Sequence, residues 1–274
     1  MKTIPLEDSA KDVLSKALAI AALSPLELEK KAGGKIADAL TAPETPAHRL
    51  ILSKAAEILR LDPASFLDLA CGHYQPNISP PERLLPFSNP YGDILVNSYL
   101  AWDEVGNAIF FDTGADIAPV LAAISRHPLT LRRLFITHAH GDHILETDRL
   151  CEKTGCKVSI SKWEPIDGAE TFSPGEVFHI GALKIETRLT RGHSPGGTTY
   201  VIHGLAKPVA VVGDALFAGS MGRPNVSAED AFSTNLKEIF SLPDETILCP
   251  GHGPLTTVKL EKAHNPFFAA KFRK

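Results

Sequence analysis

The chain has 274 residues, which is more than one small domain needs and enough for a hydrophobic core with an appended segment. Its formal net charge of −4 gives no field that would gather nucleic acid or anionic lipid. No apolar run approaches the roughly 20 residues that cross a bilayer, and the acidic start, Met1 to Asp8, lacks the basic region of a signal peptide. We therefore expect a cytoplasmic protein with no membrane partner.

Residues 10–70 carry helical signals and almost no strand signal. Ser24-Pro25-Leu26-Glu27 has the form of a capping box with proline at the first helical position. Thr45-Pro46 and Asp62-Pro63 predict two more helix starts. Gly33-Gly34 ends one predicted helix before another begins at Ile36.

A proline-rich stretch follows, and its prolines argue against a continuous helix or a central strand. The five are Pro76, Pro80, Pro81, Pro86 and Pro90. We expect this stretch to be a linker or the first loop of the next domain. The predicted organisation is a small all-α domain at residues 1–72 and a larger domain at residues 73–274.

From Asp93 onward the pattern changes to strands. Ile94–Trp102 and Ala108–Phe111 flank a turn at residues 104–107, which predicts a β-hairpin. Short apolar runs then alternate with helical stretches such as Ala118–Ser125 and Ala228–Phe240. Mixed strands and helices of this number predict a layered α/β sandwich.

The densest group of metal-binding side chains lies in residues 137–143, with the sequence THAHGDH. It contains His138, His140, Asp142 and His143. These residues come directly after the apolar run Leu134–Ile136. A strand end followed by a loop places side chains at the rim of a sheet, where ligands commonly bind.

Three further candidate ligands lie just beyond short apolar runs, each close to a glycine: His193, Asp214 and His252. Imidazole nitrogen suits zinc and iron, and a carboxylate can bridge two ions. Burying so many imidazoles and carboxylates without a cation would leave polar groups poorly satisfied. Five histidines and two aspartates exceed the needs of one tetrahedral ion, so they predict two divalent ions that share a carboxylate and a water. Zinc is favoured, with iron and manganese as alternatives.

The other histidines and the cysteines are expected to have ordinary structural roles. The four cysteines show no CxxC spacing, which favours reduced, buried thiols over a disulfide framework. Cys249 lies three residues before His252 and is the one thiol with an alternative role as a ligand.

The order of the motifs, THxHxDH, GH, GD and GH, resembles the metallo-β-lactamase superfamily over roughly residues 92–268. This resemblance implies an α/β fold, a four-layer αββα sandwich. It also implies a first metal held by His138, His140 and His193, a second held by Asp142, His143 and His252, and a bridge formed by Asp214.

Within that superfamily the chain is similar to the glyoxalase II-like hydrolases. The segment GDALFAGSMGR at residues 213–223, Glu261 and residues 265–268 carry the similarity. It implies hydrolysis of a thioester or small ester by a metal-bridged hydroxide, because two cations lower the pKa of a shared water. Asp142 is expected to orient this nucleophile, and Arg223 to bind a carboxylate or phosphate of a small-molecule substrate.

Three other functions remain open: a mononuclear iron persulfide dioxygenase, a phosphodiesterase, and a ligand-sensing regulator that binds DNA. The regulator is considered because residues 26–67 resemble the helix-turn-helix of phage-repressor-like proteins. The corresponding recognition helix, residues 35–41, lacks the Arg, Asn and Gln side chains that read base edges. We therefore expect no nucleic-acid partner. We expect these helices instead to form a homodimer interface or to cover the substrate cleft.

Overall fold

The computed structural model describes residues 4–273; residues 1–3, which open the acidic start, and residue 274 lie outside the described range. Helix starts at Pro25, Pro46 and Pro63 are confirmed. Ser24 accepts a hydrogen bond from the Glu27 amide while Glu27 bonds back to the Ser24 amide, so the predicted capping box is complete. The first five helices are α1 (Ala10–Ala21), α2 (Pro25–Ala32), α3 (Ile36–Thr41), α4 (Pro46–Ile58) and α5 (Pro63–Ala70).

The first sheet has six strands that are paired in chain order. Its strands are β1 (Leu84–Tyr91), β2 (Ile94–Trp102), β3 (Asn107–Phe111), β4 (Thr130–Phe135), β5 (Lys157–Ser161) and β6 (Glu170–Phe172). The pairs from β1 to β3 are antiparallel, which confirms the predicted hairpin, and the pairs from β3 to β6 are parallel. Three helices connect them: α6 (Ala118–Arg126), α7 (Gly141–Ile144) and α8 (Thr147–Thr154).

The prediction of a linker or loop for the whole proline-rich stretch is wrong at its C-terminal end. Pro86 and Pro90 lie inside β1, opposite Tyr99 and Leu95 of β2. Proline is tolerated because β1 is the edge strand of its sheet, where an amide that points outward has no ladder partner.

The second sheet also has six strands, in the order β12-β11-β10-β9-β8-β7. They are β7 (Val177–Ile180), β8 (Leu183–Leu189), β9 (Thr198–His203), β10 (Val209–Gly213), β11 (Ile247–Pro250) and β12 (Thr256–Thr257). Only the β10–β11 pair of this sheet is parallel. Helix α9 (Ala228–Thr234) continues as a π-helical turn (Asn235–Ile239), and α10 (Val258–His264) precedes a 3₁₀ turn (Ala269–Lys271).

Three hydrophobic clusters define the layers. The middle cluster lies between the sheets and includes Tyr99, Phe111, Phe135 and Tyr200. A second packs α6 and α8 on the first sheet. The third packs helices α1–α5, α9 and α10 on the second sheet, and joins Leu14, Leu52 and Phe66 to Val212 and Phe268. The order helix, sheet, sheet, helix confirms the predicted four-layer α/β fold.

Helices α1–α5 therefore share a hydrophobic core with the outer face of the second sheet. The division of the chain at residue 72, the helix-turn-helix resemblance and the homodimer stay predictions. Among residues 4–273, every helix is too short or too polar to cross a bilayer.

Candidate metal centre

The seven predicted ligands come together where strands of both sheets end. Residues 136–143 follow β4, His193 follows β8, Asp214 follows β10, and His252 follows β11. Three of the compact donor groups found in residues 4–273 are formed by these side chains. The remaining one, Glu44 with Cys71 and His73, lies on the exposed surface of the N-terminal helices, where such groups are common without a metal.

One half of the centre is a set of three imidazoles. The Nδ1 atom of His140 lies 3.0 Å from Nε2 of His138 and 3.0 Å from Nε2 of His193. Three ring nitrogens converge in this way when they face a common point. A small cavity of about 10 Å³ lies beside His138, His193 and Asp214, and residues other than the candidate ligands complete its wall.

The other half is formed by a carboxylate and two imidazoles. Oδ2 of Asp142 lies 3.2 Å from Nε2 of His252 and 3.4 Å from Nε2 of His143. Asp142 is the more accessible of the two clustered aspartates, with 13% of its side chain exposed.

Asp214 lies between the two halves. Its Oδ1 is 3.4 Å from Nε2 of His143, and its Oδ2 is 3.4 Å from Nε2 of both His193 and His252. Gly251 makes this approach possible, because a Cβ at that position would lie 2.2 Å from Oδ1 of Asp214. One buried carboxylate thus faces imidazoles from both halves.

Two observations show that the donor set fits a cation. Nε2 of His143 and Oδ1 of Asp214 are buried and have no hydrogen-bond partner within residues 4–273. Such atoms are costly to bury unless something binds them. The chemistry of the set, five imidazoles and two carboxylates, suits zinc, iron or manganese.

The pKa shifts of the clustered histidines also indicate that the site favours a cation. Burial and the neighbouring imidazoles hold the pKa of His138 well below its ordinary value, which favours the neutral form that a metal ligand needs. Burial alone would also lower the pKa of His143, yet Asp112 and Asp214 raise it to about 10. For His252, the carboxylates of Asp142 and Asp214 outweigh burial and raise the pKa to about 11. The carboxylates therefore favour positive charge here, which a metal can supply in place of protons.

In His193, His252 and His143, the ring nitrogen that faces away from the centre is hydrogen-bonded to another part of the protein. Nδ1 of His193 donates to the Arg223 carbonyl at 2.8 Å, and Nδ1 of His252 donates to the Leu95 carbonyl at 2.7 Å. Nδ1 of His143 lies 2.8 Å from Oδ2 of Asp112. Such contacts fix ring orientation and tautomer, so that the inner nitrogen is presented to the centre.

Two carboxylates at the centre were missed by the sequence analysis. Asp112 accepts hydrogen bonds from the amide and hydroxyl of Thr137 and holds His143. Its position just after β3 could have identified it, because Asp214 likewise follows directly on a buried strand, β10. Glu164 accepts from the amides of Ala139 and Gly196, and nothing in its local sequence distinguishes it.

Two other candidate residues, Arg223 and Cys249, have side chains that lie outside the ligand cluster. The side chain of Arg223 is exposed, and its backbone carbonyl is what contacts His193. Cys249 is fully buried in the cluster between the sheets, and burial raises the pKa of its thiol. Among the described residues it belongs to no compact donor group.

Five exposed apolar side chains lie at strand ends or in loops, some of them adjoining the ligand-bearing segments. They are Tyr91, Ile94, Leu145, Trp163 and Val226. Tyr91 lies against Gly141, where an added Cβ would come 3.1 Å from the Tyr91 hydroxyl oxygen. The Val226 amide donates to the Gly192 carbonyl at 2.9 Å, which places Val226 next to the His193 loop. Tyr91 and Val226 thus place apolar surface next to the ligand-bearing loops.

The chain is similar in sequence and in fold to known proteins. The chain is 28% identical over 200 residues to the hydroxyacylglutathione hydrolase GloC of Haemophilus influenzae, covering 64% of this chain and 93% of that protein. The structure of ETHE1 from Myxococcus xanthus superposes with a TM-score of 0.61 at 27% identity, covering 68% of this chain and 85% of that one. TTHA1623, solved in a di-iron-bound form, gives a TM-score of 0.55 at 27% identity, covering 66% and 100%.

The family model described as the metallo-beta-lactamase superfamily matches residues 91–252, more than half of the chain. The match spans all seven clustered side chains and the strands from β2 to β11, and it begins after helices α1–α5. The protein therefore belongs to the metallo-β-lactamase superfamily, as one of its metallo-hydrolases.

Proposed function

We propose that the protein hydrolyses a thioester or a related small ester, with two divalent ions held by the seven clustered side chains. The observation that carries the proposal is the position of Asp214, within 3.4 Å of imidazole nitrogens from both halves of the cluster. Zinc is the favoured ion, since imidazole and carboxylate are its usual ligands, and iron and manganese are alternatives. The similarity to a hydroxyacylglutathione hydrolase supports a thioester substrate.

The residues divide into three roles. His138, His140 and His193 would hold one ion, Asp142, His143 and His252 the other, and Asp214 would be shared. Bound divalent cations supply Lewis acidity, which makes water nucleophilic near neutral pH and stabilises negative charge on a carbonyl oxygen. Asp142 would orient the attacking water, since its side chain is the more exposed of the two clustered aspartates, 13% against 9%.

The leaving group and the surroundings of the centre favour a thioester. A thiolate leaves without help from a general acid, because the pKa of a thiol is only about 8.5. The exposed apolar side chains of Tyr91 and Val226, next to the ligand-bearing loops, suit the acyl part of the substrate. The exposed Arg223 would bind a carboxylate or phosphate elsewhere in the molecule.

A metal count and a substrate screen test the proposal. The purified protein should hold two ions per chain and should hydrolyse a thioester such as S-lactoylglutathione faster than phosphodiesters or lactones. A fully folded protein that binds no transition metal would end the proposal. Hydrolysis of phosphodiesters alone would replace the thioester with a different substrate class.

The Asp214→Ala variant should lose metal and activity together, because it removes the carboxylate that the two halves share. We expect activity to fall by at least about 100-fold, as for the loss of a metal-organising group. The matched control is His127→Ala, which changes an exposed histidine whose ring lies 5.1 Å from the Trp102 ring and should leave both properties unchanged. Two ions per chain in Asp214→Ala would contradict the bridging role.

A second candidate is a mononuclear iron persulfide dioxygenase, and the observation that favours it is the similarity to ETHE1. In that case the protein would hold one iron per chain and would consume oxygen with glutathione persulfide. Thioester hydrolysis without oxygen uptake would exclude this candidate.

A further inference from the structure

A buried ion pair joins helix α1 to the segment that precedes it. Lys16 lies on α1, and its ammonium pairs with the carboxylate of Asp8. The side chains of Lys16 and Asp8 are only 10% and 8% exposed. Nζ of Lys16 also donates to the backbone carbonyl of Met221 at 2.8 Å. The pair is therefore connected to a part of the chain 205 residues away in sequence.

The contacted part is the loop at residues 214–223, which begins at Asp214. The hydroxyl of Ser220 donates to the Asp8 carboxylate, so two consecutive residues of the loop are tied to the N-terminal pair. The Gly222 amide donates to the Asp214 carbonyl at 3.1 Å, and the Arg223 carbonyl accepts from His193. The loop thus begins at one candidate metal ligand, and its C-terminal end contacts that ligand and a second one.

The same N-terminal segment also contacts the His252 side of the centre. Nζ of Lys16 lies 5.1 Å from the centroid of the Phe217 ring, and that ring packs edge-on at 5.6 Å against the ring of His252. Glu7 adjoins the next residue of that loop, because a Cβ added to Gly253 would lie 3.1 Å from the Glu7 amide nitrogen. Residues 7–16 thus contact two of the four ligand-bearing loops.

Stability alone is a poor explanation for this arrangement. Removing two charges from water costs about as much as their attraction returns, and apolar side chains often do as well. The hydrogen bonds from the pair to the loop have a second effect beyond stability, because they fix the position of residues 220 and 221. The family model begins at residue 91, so these contacts come from a part of the chain that lies outside it.

We propose that Lys16 and Asp8 are positioning residues that hold the 214–223 loop in the geometry required for metal binding. The inference rests on the proposed metal site. It means that helix α1 contributes to metal binding at that site. The pair acts through Ser220 and Met221, without contacting the ions.

Zinc affinity measured by competition with a chromophoric chelator tests this proposal, with zinc chloride as the only ligand. Lys16→Met should bind zinc about 10- to 100-fold more weakly than the wild type, the usual range for lost supporting contacts. Simple electrostatics predicts the opposite, because removing a nearby positive charge favours a cation. The control is Lys11→Met, an exposed lysine on the same helix, which should bind zinc like the wild type.

Two further variants separate positioning from folding. Asp8→Asn combined with Lys16→Met leaves no unpaired buried charge and should still bind zinc weakly, while the melting temperature of its metal-free form reports stability separately. Ser220→Ala removes only one hydroxyl and should weaken zinc binding about fivefold, as expected for one lost hydrogen bond. Wild-type zinc affinity in these variants would overturn the inference, whatever their melting temperatures. A wild-type protein that binds no zinc or other transition metal would instead contradict the proposed function.

Discussion

At the scale of single residues, Asp112 organises one half of the centre. It is 2% exposed and accepts three hydrogen bonds, from the amide and hydroxyl of Thr137 and from Nδ1 of His143. Its backbone adopts a φ of 54°, which is unfavourable for a residue with a side chain. Asp112 thus links two neighbouring ligand positions.

We predict that Asp112→Asn will weaken metal binding in the half that contains His143. The asparagine side chain has only one oxygen. When that oxygen accepts from the Thr137 amide, its NH₂ group faces the Thr137 hydroxyl and the His143 ring, so Nδ1 of His143 loses its acceptor. The metal content should fall toward one ion per chain, with activity about 10- to 100-fold lower. Elemental analysis of the purified variant checks this. The control, Asp116→Asn, changes an exposed carboxylate that accepts from the Ala118 amide; equal metal loss in both variants would refute a specific role for Asp112.

At the scale of elements, the ligand loops are joined by contacts between strand ends. Glu164 follows β5, and its two oxygens accept from the Ala139 amide at 2.9 Å and the Gly196 amide at 3.0 Å. One carboxylate therefore connects the loop after β4 to the loop after β8, across the two sheets. Gly196 permits this approach, since a Cβ there would lie 2.6 Å from Cβ of Glu164.

The Glu164→Gln variant should loosen this connection. A glutamine side chain has one oxygen, so only one of the two amides can keep its acceptor. We expect faster hydrogen exchange at the amides of Ala139 or Gly196, and metal binding about tenfold weaker. Glu176→Gln is the control, because Glu176 is exposed and accepts from the single amide of Ser173. Unchanged exchange in both loops would show that Glu164 does not connect them.

At the scale of the whole molecule, metal binding and folding should be coupled. The clustered side chains belong to loops from both sheets, and they are brought together only in the folded chain. Without a cation, the unpaired atoms of His143 and Asp214 and the buried carboxylates lose their best partner. A metal that binds the folded chain therefore stabilises it by mass action.

Removal of metal should lower the melting temperature by about 5–10 °C. This follows from about 2.7 kcal/mol of stabilisation when free metal is 100 times its Kd and from about 2–4 °C per kcal/mol for a chain of this size. Differential scanning calorimetry before and after dialysis against a chelator measures the shift, and added zinc should reverse it. A melting temperature that is unaffected by confirmed metal removal would argue against a site that bridges both sheets.

The amino-acid sequence by itself determined the layered α/β fold and the identity of the seven clustered side chains, because these depend on local patterns. Strand ends, capping residues and the THAHGDH motif are all visible within a few consecutive residues. Tertiary structure alone decided the supporting roles of Glu164 and Lys16. Glu164 and Lys16 carry no local signal, since their partners Ala139, Gly196 and Met221 are distant in sequence. Tertiary structure also decided that residues 84–91 form a strand, because they pair at the edge of the first sheet. It likewise decided the position of helices α1–α5, because these helices cover the apolar outer face of the second sheet.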